Sequence, residues 1–309
     1  MLHVVHHPAY VVPTRAAGTF LHDKYALVMH ALRASHAPMT EHLPEEMPRR
    51  WLEAVHDPDY VEEVLSCTVP AAKVRRIGFA VDAGISRRSQ LSVGGTWLAA
   101  KLALRHGYAA NSAGGSHHAL ADTGAGYCVF NDLAVAANRL IEEGDAARIL
   151  ILDLDVHQGD GTAALTAGRG DIFTLSLHAE KNFPTRKARS SLDIALPDGM
   201  GDADYMDILG RTLPGVLDEF MPDLILMQAG VDAHGEDRLG RLALSDDGLL
   251  ARDRMVAREA RRRGLPLAST LGGGYGADRA AVAGRHARTV LALGAGLHNA
   301  AGEAAGHGA

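Results

Sequence analysis

Two carboxylates and a histidine alternate at the end of an apolar segment. Asp153, Asp155 and His157 follow the run that begins at Ile149, and single hydrophobic residues separate them. In an extended chain, alternate side chains point to the same side, so these three groups can converge on one cation. Asp232, which follows a second apolar run, can add a carboxylate from a neighbouring strand. Two of these aspartates together with His157 would make a metal site with three protein ligands.

A site with three protein ligands is typical of catalytic zinc. Such a site leaves one position open for water, and the metal lowers the pKa of that water to ~7. The alternative is that Asp153 and Asp155 only cap turns, as many loop aspartates do. However, an unpaired buried carboxylate is costly, and capping does not explain two acids at the end of an apolar strand. The spacing therefore favours a hydrolytic metal site.

Two adjacent histidines follow a glycine-rich segment, residues 111–116. Histidine transfers protons near neutral pH, so His117 and His118 are candidates for acid-base catalysis. Two acids remain in the metal segment, Asp153 and Asp160, and each can orient one imidazole. A histidine pair alone is weak evidence, and its meaning here depends on these neighbouring acids.

Tyr275 follows three consecutive glycines, Gly272 to Gly274. A tyrosine on such a loop could donate a hydrogen bond to a developing oxyanion. The alternative is a flexible turn with a surface tyrosine. A phosphate-binding loop is disfavoured, because neither Gly-Lys-Ser/Thr nor the GxGxxG spacing accompanies the glycines.

The elements that must position these groups are short apolar runs separated by longer helical segments. We interpret the runs as buried strands. The helical segments include residues 132–143 and 204–220, and Pro214 is expected to bend or divide the second. This alternation predicts a parallel sheet covered on both faces, with the polar residues at the carboxyl edge where ligands of such sheets bind. The strand-like runs are residues 109–112, 149–154, 172–177 and 224–227.

Composition excludes several classes of protein. The 309 residues are 47% hydrophobic, with a net charge of -6, so there is no overall attraction to nucleic acid. The two cysteines are too few for a disulfide framework, and no apolar run reaches the ~18 residues of a membrane span. The start of the sequence lacks the basic region of a signal peptide. We expect a cytoplasmic protein with one catalytic domain, residues 1–295, and a flexible tail, residues 296–309.

Five segments, in this order, resemble the zinc-dependent histone deacetylase family of the arginase/deacetylase superfamily. The resemblance extends over nearly the whole chain, from about residue 6 to residue 293. It implies a single-domain α/β fold, with a mainly parallel sheet of about eight strands flanked by helices on both faces. The run 235–245 looks most like the class IV branch, although Asp160 is the acid seen in classes I and II. The five segments are residues 115–119, 126–132, 153–162, 229–232 and 272–275.

The resemblance implies a role for each polar group. His118 would act as general base and then as general acid, with His117 as its electrostatic partner. Asp160 and Asp153 would orient these imidazoles, and Tyr275 would polarise the acyl carbonyl. The implied ligands of the single zinc ion are Asp155, His157 and Asp232.

The same resemblance implies a second ion and a substrate tunnel. A structural potassium ion would lie beside the zinc, and apolar or aromatic residues would line the channel for the acyl-lysine. The potassium ligands would be Asp153, Asp155, His157, Ser176 and the carbonyl of Leu177. The tunnel residues would be Gly126, Tyr127, Phe183 and Leu239.

The activity so implied is removal of an acetyl or longer acyl group from the side-chain amine of acyl-lysine in a protein or peptide. One alternative is a deacetylase of acetylpolyamines or other small acylated amines. Leu239 weighs against polyamines, because an acid would be expected there to attract a second ammonium. Ala80 stands where class I members have the aspartate that grips the substrate backbone.

Three further alternatives concern the chemistry and the substrate. An arginase-like hydrolase needs more ligands for two manganese ions. A catalytically silent module that binds acyl groups would be expected to lack Tyr275, an active-site histidine or a metal ligand, and all are present. A basic loop could meet an acidic substrate or simply be solvated. Its charged residues are Lys181, Arg186, Lys187 and Arg189.

Overall fold

The computed structural model describes residues 1–12 and 23–298. Within these residues eight strands form one parallel sheet, in the order β2-β1-β3-β8-β7-β4-β5-β6. This confirms the predicted α/β architecture. The strands are β1 (Leu2–Val5), β2 (Met39–His42), β3 (Tyr108–Asn111), β4 (Ile149–Asp153), β5 (Ile172–Ala179), β6 (Leu192–Leu196), β7 (Leu224–Gln228) and β8 (Leu267–Thr270).

Helices connect the strands. A short 3-10 helix, Pro8–Tyr10, follows β1. None of the helices in the described residues is both long and apolar enough to cross a membrane. The α-helices are α1 (Lys24–Ala34), α2 (Arg49–Glu53), α3 (Pro58–Leu65), α4 (Ala71–Ile77), α5 (Ala83–His106), α6 (Asp132–Glu142), α7 (Asp160–Leu165), α8 (Asp202–Phe220), α9 (Asp246–Arg262) and α10 (Arg279–His298).

The sheet is covered on both faces because its central strands are apolar at successive positions. In β4, Leu150 and Leu152 belong to a core cluster that also contains residues of α1, α8, α9 and α10. Ile149 and Ile151 point the other way, into a second cluster that contains residues of α5 and α6. Alternation of side chains along each strand thus buries the sheet between two helical layers.

Pro214 does not divide its helix, contrary to one of the predicted outcomes. Helix α8 runs without interruption from Asp202 to Phe220. Proline removes one backbone donor and crowds the preceding turn. Leu209, Leu213 and Leu217 recur at helical spacing on both sides of it and are buried. Packing of this apolar face holds the helix together across the proline.

The predicted C-terminal tail lies mostly outside the described residues. Its first residues, 296–298, form the end of α10. Residues 299–309 are not among those described.

Four neighbouring strands in the middle of the sheet carry the predicted active-site segments. The segment with His118 follows β3, Tyr275 follows β8, Asp232 follows β7, and Asp155 follows β4. These strands are consecutive in the order β3-β8-β7-β4 and all run in the same direction. Their carboxyl ends therefore meet at one edge of the sheet, which brings together residues that are far apart in sequence.

Candidate active site

Asp155, His157 and Asp232 form a buried group that could bind a metal ion. One potential ligand atom from each lies within 4.8 Å of those from the other two. The Nδ1 atom of His157 lies 3.0 Å from Oδ1 of Asp155 and 3.1 Å from Oδ2 of Asp232. All three side chains are buried. Two carboxylates and an imidazole match the chemistry of a zinc site that keeps an open position.

Backbone donors fix both carboxylates. The Gly273 N–H donates to Oδ2 of Asp155 over 2.7 Å, and the Val156 N–H donates to Oδ1 of Asp232 over 2.9 Å. A Cβ atom on Gly273 would collide with the Asp232 carboxylate. The glycine loop can therefore close over the metal ligands only because this residue has no side chain.

The three side chains form a strongly coupled set of charges. Burial and the negative charge of Asp155 raise the pKa of Asp232 to about 7. Burial disfavours the charged form of His157, but hydrogen bonds to Asp155 and Asp232 outweigh it and raise its pKa to about 10. Burial opposes ionisation of Asp155, yet the charges of His117 and His157 hold its pKa well below the usual range. A divalent cation would relieve the repulsion between these carboxylates.

His117 and His118 each bind one of the predicted acids. Nδ1 of His117 lies 2.7 Å from Oδ2 of Asp153, and Nδ1 of His118 lies 2.7 Å from Oδ1 of Asp160. The two imidazole rings are 4.1 Å apart. The structure thus brings together all four residues of the predicted acid-base system.

The two imidazoles differ in protonation. Burial disfavours charge on His117, but the carboxylates of Asp153 and Asp155 outweigh it and raise its pKa to about 9. Burial, together with the positive charge of His117, lowers the pKa of His118 to about 3. Near pH 7, His117 is therefore cationic and His118 is neutral, so His118 is the one able to accept a proton.

Tyr275 lies at the same cavity. Its ring centre is 6.3 Å from that of His157 and 5.9 Å from that of Tyr127. Burial and the charges of Asp155 and Asp232 raise the pKa of Tyr275 well above its usual value. The phenol therefore stays protonated and can act as a hydrogen-bond donor.

The predicted tunnel residues surround His118 to different extents. Gly126 and Tyr127 line, with both active-site histidines and Tyr275, a cavity of about 30 Å³. The Phe183 ring packs edge-on against His118, with ring centres 4.8 Å apart. Gly126 has a φ of 52°, and a Cβ atom there would lie 2.7 Å from the His118 ring. Glycine is thus required at this wall of the cavity.

The position of Leu239, the fourth predicted tunnel residue, is given by a hydrogen bond to its backbone carbonyl. Its carbonyl accepts a hydrogen bond of 2.6 Å from Nδ2 of Asn182, the residue before Phe183. Through this hydrogen bond Leu239 lies next to the loop that carries Phe183. It is not among the residues that line the small cavity with Gly126 and Tyr127.

Three of the five residues predicted to hold potassium, Asp153, Ser176 and Leu177, lie on two paired strands, and Asp155 and His157 follow the first of these strands. Ser176 on β5 is paired in register with Asp153 on β4. Leu177 follows Ser176 and is buried. The structure therefore places these two residues beside β4, the strand that precedes Asp155 and His157.

Three charged residues hold the loops of the site, and the sequence did not predict this role for any of them. Asp132 is the first: its carboxylate accepts hydrogen bonds from the backbone N–H groups of Gly115 and Ser116, at 3.0 and 2.6 Å. It also accepts a hydrogen bond of 2.5 Å from the Thr96 hydroxyl, Oγ1. These bonds hold the loop that leads to His117. A signal existed, because Asn131-Asp132 begins a helix inside one of the motifs that carried the resemblance.

Asp237 holds the loop that carries Tyr275, and Arg252 holds the segment that leads to Asp232. Oδ2 of Asp237 accepts a 2.6 Å hydrogen bond from the backbone N–H of Tyr275. Arg252 is completely buried, and its guanidinium donates to the carbonyl of Gly230 over 2.7 Å, two residues before Asp232. No local pattern distinguishes Arg252 from the exposed arginines of α9, so its role depends on the tertiary fold.

Comparisons with known proteins show which family this sequence resembles. The family model described as the histone deacetylase domain matches residues 19–291. A protein of Picosynechococcus sp. is 45% identical over 275 residues, which cover 88% of this chain and 91% of that protein. Histone deacetylase 2 of Arabidopsis thaliana is 31% identical over 242 residues, which cover 75% of this chain and 62% of that protein.

Solved structures share the fold. The HD domain of HDA15 has a TM-score of 0.80 at 20% identity, covering 95% of this chain and 88% of that one. The acetylpolyamine aminohydrolase of Burkholderia pseudomallei has a TM-score of 0.78 at 21% identity, covering 96% of this chain and 99% of that one. With the family model matched from residue 19 to residue 291, the chain belongs to the histone deacetylase family.

Proposed function

We propose that this protein is a zinc-dependent hydrolase that removes an acetyl or longer acyl group from the side-chain amine of acyl-lysine. The observation that carries the proposal is the meeting of three kinds of group in one buried site. A ligand set of Asp155, His157 and Asp232 lies beside the neutral imidazole of His118 and the protonated phenol of Tyr275. Together these groups supply what amide hydrolysis requires.

The donor set fits one zinc ion. Asp155, His157 and Asp232 would hold it, and when bound it would polarise the acyl carbonyl and make water nucleophilic near neutral pH. The fit rests on two features of the site. Its ligand atoms converge, and burial, together with the negative charge of Asp155, raises the pKa of Asp232 to about 7. A bound divalent cation would remove the repulsion between these two carboxylates.

His118 would move the proton. Its Nδ1 is engaged by Asp160, which leaves Nε2 to take a proton from the attacking water. The leaving amine would then receive that proton from His118. His117, fixed by Asp153 and cationic near neutral pH, would stabilise negative charge during the attack.

Tyr275 would stabilise the developing oxyanion. The pKa of its phenol is raised well above the usual value, so its proton stays available for a hydrogen bond to the acyl oxygen. The bond from the Tyr275 N–H to Asp237 positions the loop that carries it. A preorganised donor of this kind stabilises the transition state more than the ground state.

We also propose a structural potassium ion and a cytoplasmic location. The register of Ser176 with Asp153 supports a second cation held by Asp153, Asp155, His157, Ser176 and the Leu177 carbonyl. Cys67 and Cys128 are both free, which is the usual state of cysteines in a reducing compartment. The catalytic domain would comprise residues 1–295.

Hydrolysis of acetylpolyamines is the second candidate. It is favoured by the similarity in fold to the acetylpolyamine aminohydrolase of Burkholderia pseudomallei, with a TM-score of 0.78. The charges near the active site oppose it, because Arg76, Arg186 and Lys187 line a groove that also includes Phe183. A second ammonium group on the substrate would meet cationic side chains there.

A substrate panel tests the proposal. The zinc-loaded protein would be assayed with lysine peptides that carry acyl groups from acetyl to myristoyl, and with acetylated polyamines. We expect at least one acyl-lysine peptide to have a kcat/KM more than about tenfold above that of any polyamine, as expected for a charge mismatch of this kind. Hydrolysis of polyamines alone would favour the second candidate, and hydrolysis of nothing would favour a non-catalytic acyl-binding protein.

A further inference from the structure

We infer that the substrate carries a carboxylate next to its acyl-lysine, and that this carboxylate binds in a basic groove beside the active site. The inference rests on the proposed function and names the class of substrate for that site. The basic groove, as used below, is the depression lined by Arg76, Arg186, Lys187, Phe183 and Asp160 together with apolar residues.

The basic groove adjoins the catalytic residues. Its volume is about 640 Å³. Phe183, which lines it, packs against the His118 ring at 4.8 Å, and Asp160, which also lines it, binds Nδ1 of His118 at 2.7 Å. A peptide whose acyl-lysine reached His118 would therefore place its neighbouring residues over this groove, since each residue extends at most ~3.6 Å.

Cations outnumber acids in the basic groove. Among its described lining residues Asp160 is the one acid, against three cations, and its carboxylate is held by Nδ1 of His118. Arg76 and Arg186 are exposed, and neither forms an ion pair with a residue in the ranges 1–12 and 23–298. Some exposed arginines elsewhere are paired: Arg33, for example, lies 2.6 Å from Glu41. An incoming carboxylate would thus meet two guanidinium groups, those of Arg76 and Arg186, that form no ion pair within the described residues.

Hydrogen bonds to backbone carbonyls anchor the two segments that carry Arg76 and Lys187. The carbonyl of Arg76, at the end of α4, accepts a 3.0 Å hydrogen bond from the N–H of Gly126, so Arg76 is joined to the wall of the active site. Nζ of Lys187 donates to the carbonyls of Asn182 and Pro184, at 2.5 and 2.8 Å, and so holds the loop that presents Phe183. The groove is therefore built into the mouth of the site from two sides.

The apolar lining suits the stem of an acidic side chain. Leu120, Ala125 and Ala164 contribute to the surface between the cations. The methylenes of a glutamate could pack there while its carboxylate contacts Arg76 or Arg186. A lysine in the same place would bring two like charges together, so acidic sequences around the acyl-lysine are expected to bind better than basic ones.

Three peptides test the inference. Each carries acetyl-lysine at the centre, with glutamate, glutamine or lysine on both sides, and kcat/KM is measured for each. We expect the glutamate peptide to exceed the lysine peptide by about tenfold at low salt, and the difference to shrink as salt screens the charges. In the double variant Arg76→Glu/Arg186→Glu, the order of the peptides should reverse. The matched control, Arg254→Glu, changes an exposed arginine of α9 and should keep the wild-type order.

A binding assay separates this inference from the proposed function. Fluorescence anisotropy with the slow Tyr275→Phe variant gives the Kd of labelled forms of the same peptides without turnover. Tighter binding of the glutamate peptide supports the inference even if no peptide is hydrolysed, a result that would count against the proposed function alone. Equal kcat/KM and equal Kd for the three peptides, or a preference that persists in the double variant, would overturn the inference.

Discussion

Replacing Asp232 by alanine is expected to abolish stable zinc binding and to lower turnover by more than about 10³-fold. Loss of a residue that only orients a metal ligand already weakens metal binding by roughly 10- to 100-fold, and loss of a direct ligand should weaken it more. Asp232 supplies one of three converging ligands, and its Oδ2 lies 3.1 Å from Nδ1 of His157. The variant should still fold, because the substitution removes a carboxyl whose ionised form is already disfavoured by burial and by the charge of Asp155. Metal content by elemental analysis and turnover of an acetyl-lysine peptide measure the two effects.

A matched control is Asp204→Ala, which removes an exposed carboxylate near the start of α8. It should keep both zinc and activity. Circular dichroism of the two variants would show whether either has lost its fold. Full zinc occupancy in folded Asp232→Ala would refute the role of Asp232 as a ligand.

Replacing Tyr275 by phenylalanine is expected to reduce kcat by about 10²- to 10³-fold, the loss found when one oxyanion donor is removed. The ring remains, so its packing against Tyr127 and His157 should persist. Zinc content should not change, because the proposed ligands are Asp155, His157 and Asp232, and the raised pKa of Tyr275 keeps its phenol protonated. Single-turnover kinetics and metal analysis on the same preparation separate the two quantities.

The control for this variant is Tyr60→Phe. It also removes a buried phenolic hydroxyl. This hydroxyl donates a hydrogen bond of 2.8 Å to the backbone carbonyl of Val129, which does not belong to the converging group of Asp155, His157 and Asp232. Its kcat should match the wild type, although some stability is lost with the hydrogen bond. If Tyr275→Phe kept wild-type kcat, the oxyanion would have to be stabilised by another donor.

Much of the candidate site was predictable because its residues lie at the ends of apolar strands. The arrival of Asp232 beside Asp155 and His157 follows from two paired parallel strands, β4 and β7. Such a relation depends on the shared direction of the strands. The alternation along an extended chain does not explain the group, because β4 ends at Asp153, residues 155–157 are bends, and the converging group contains Asp155, His157 and Asp232 without Asp153. The α/β class follows from the alternation of strands and helices.

Other features depended on contacts between distant parts of the chain. Arg252 holds the carbonyl of Gly230, and Asp237 holds the N–H of Tyr275, across 22 and 38 residues of sequence. Nothing local marks either residue, because their partners are backbone atoms of loops that only the fold brings near. The continuity of α8 across Pro214 has a similar cause, since burial of its apolar face outweighs the local preference of proline.

Zinc titration of the metal-free protein, followed by release of acetate from an acetyl-lysine peptide, tests most directly whether one metal held by Asp155, His157 and Asp232 makes this chain a deacylase. Chelator-treated protein should be inactive, and activity should rise linearly with added zinc until it stops at about one ion per chain. Activity that survives complete removal of metal, that is maximal only at two ions, or that never appears would contradict this function.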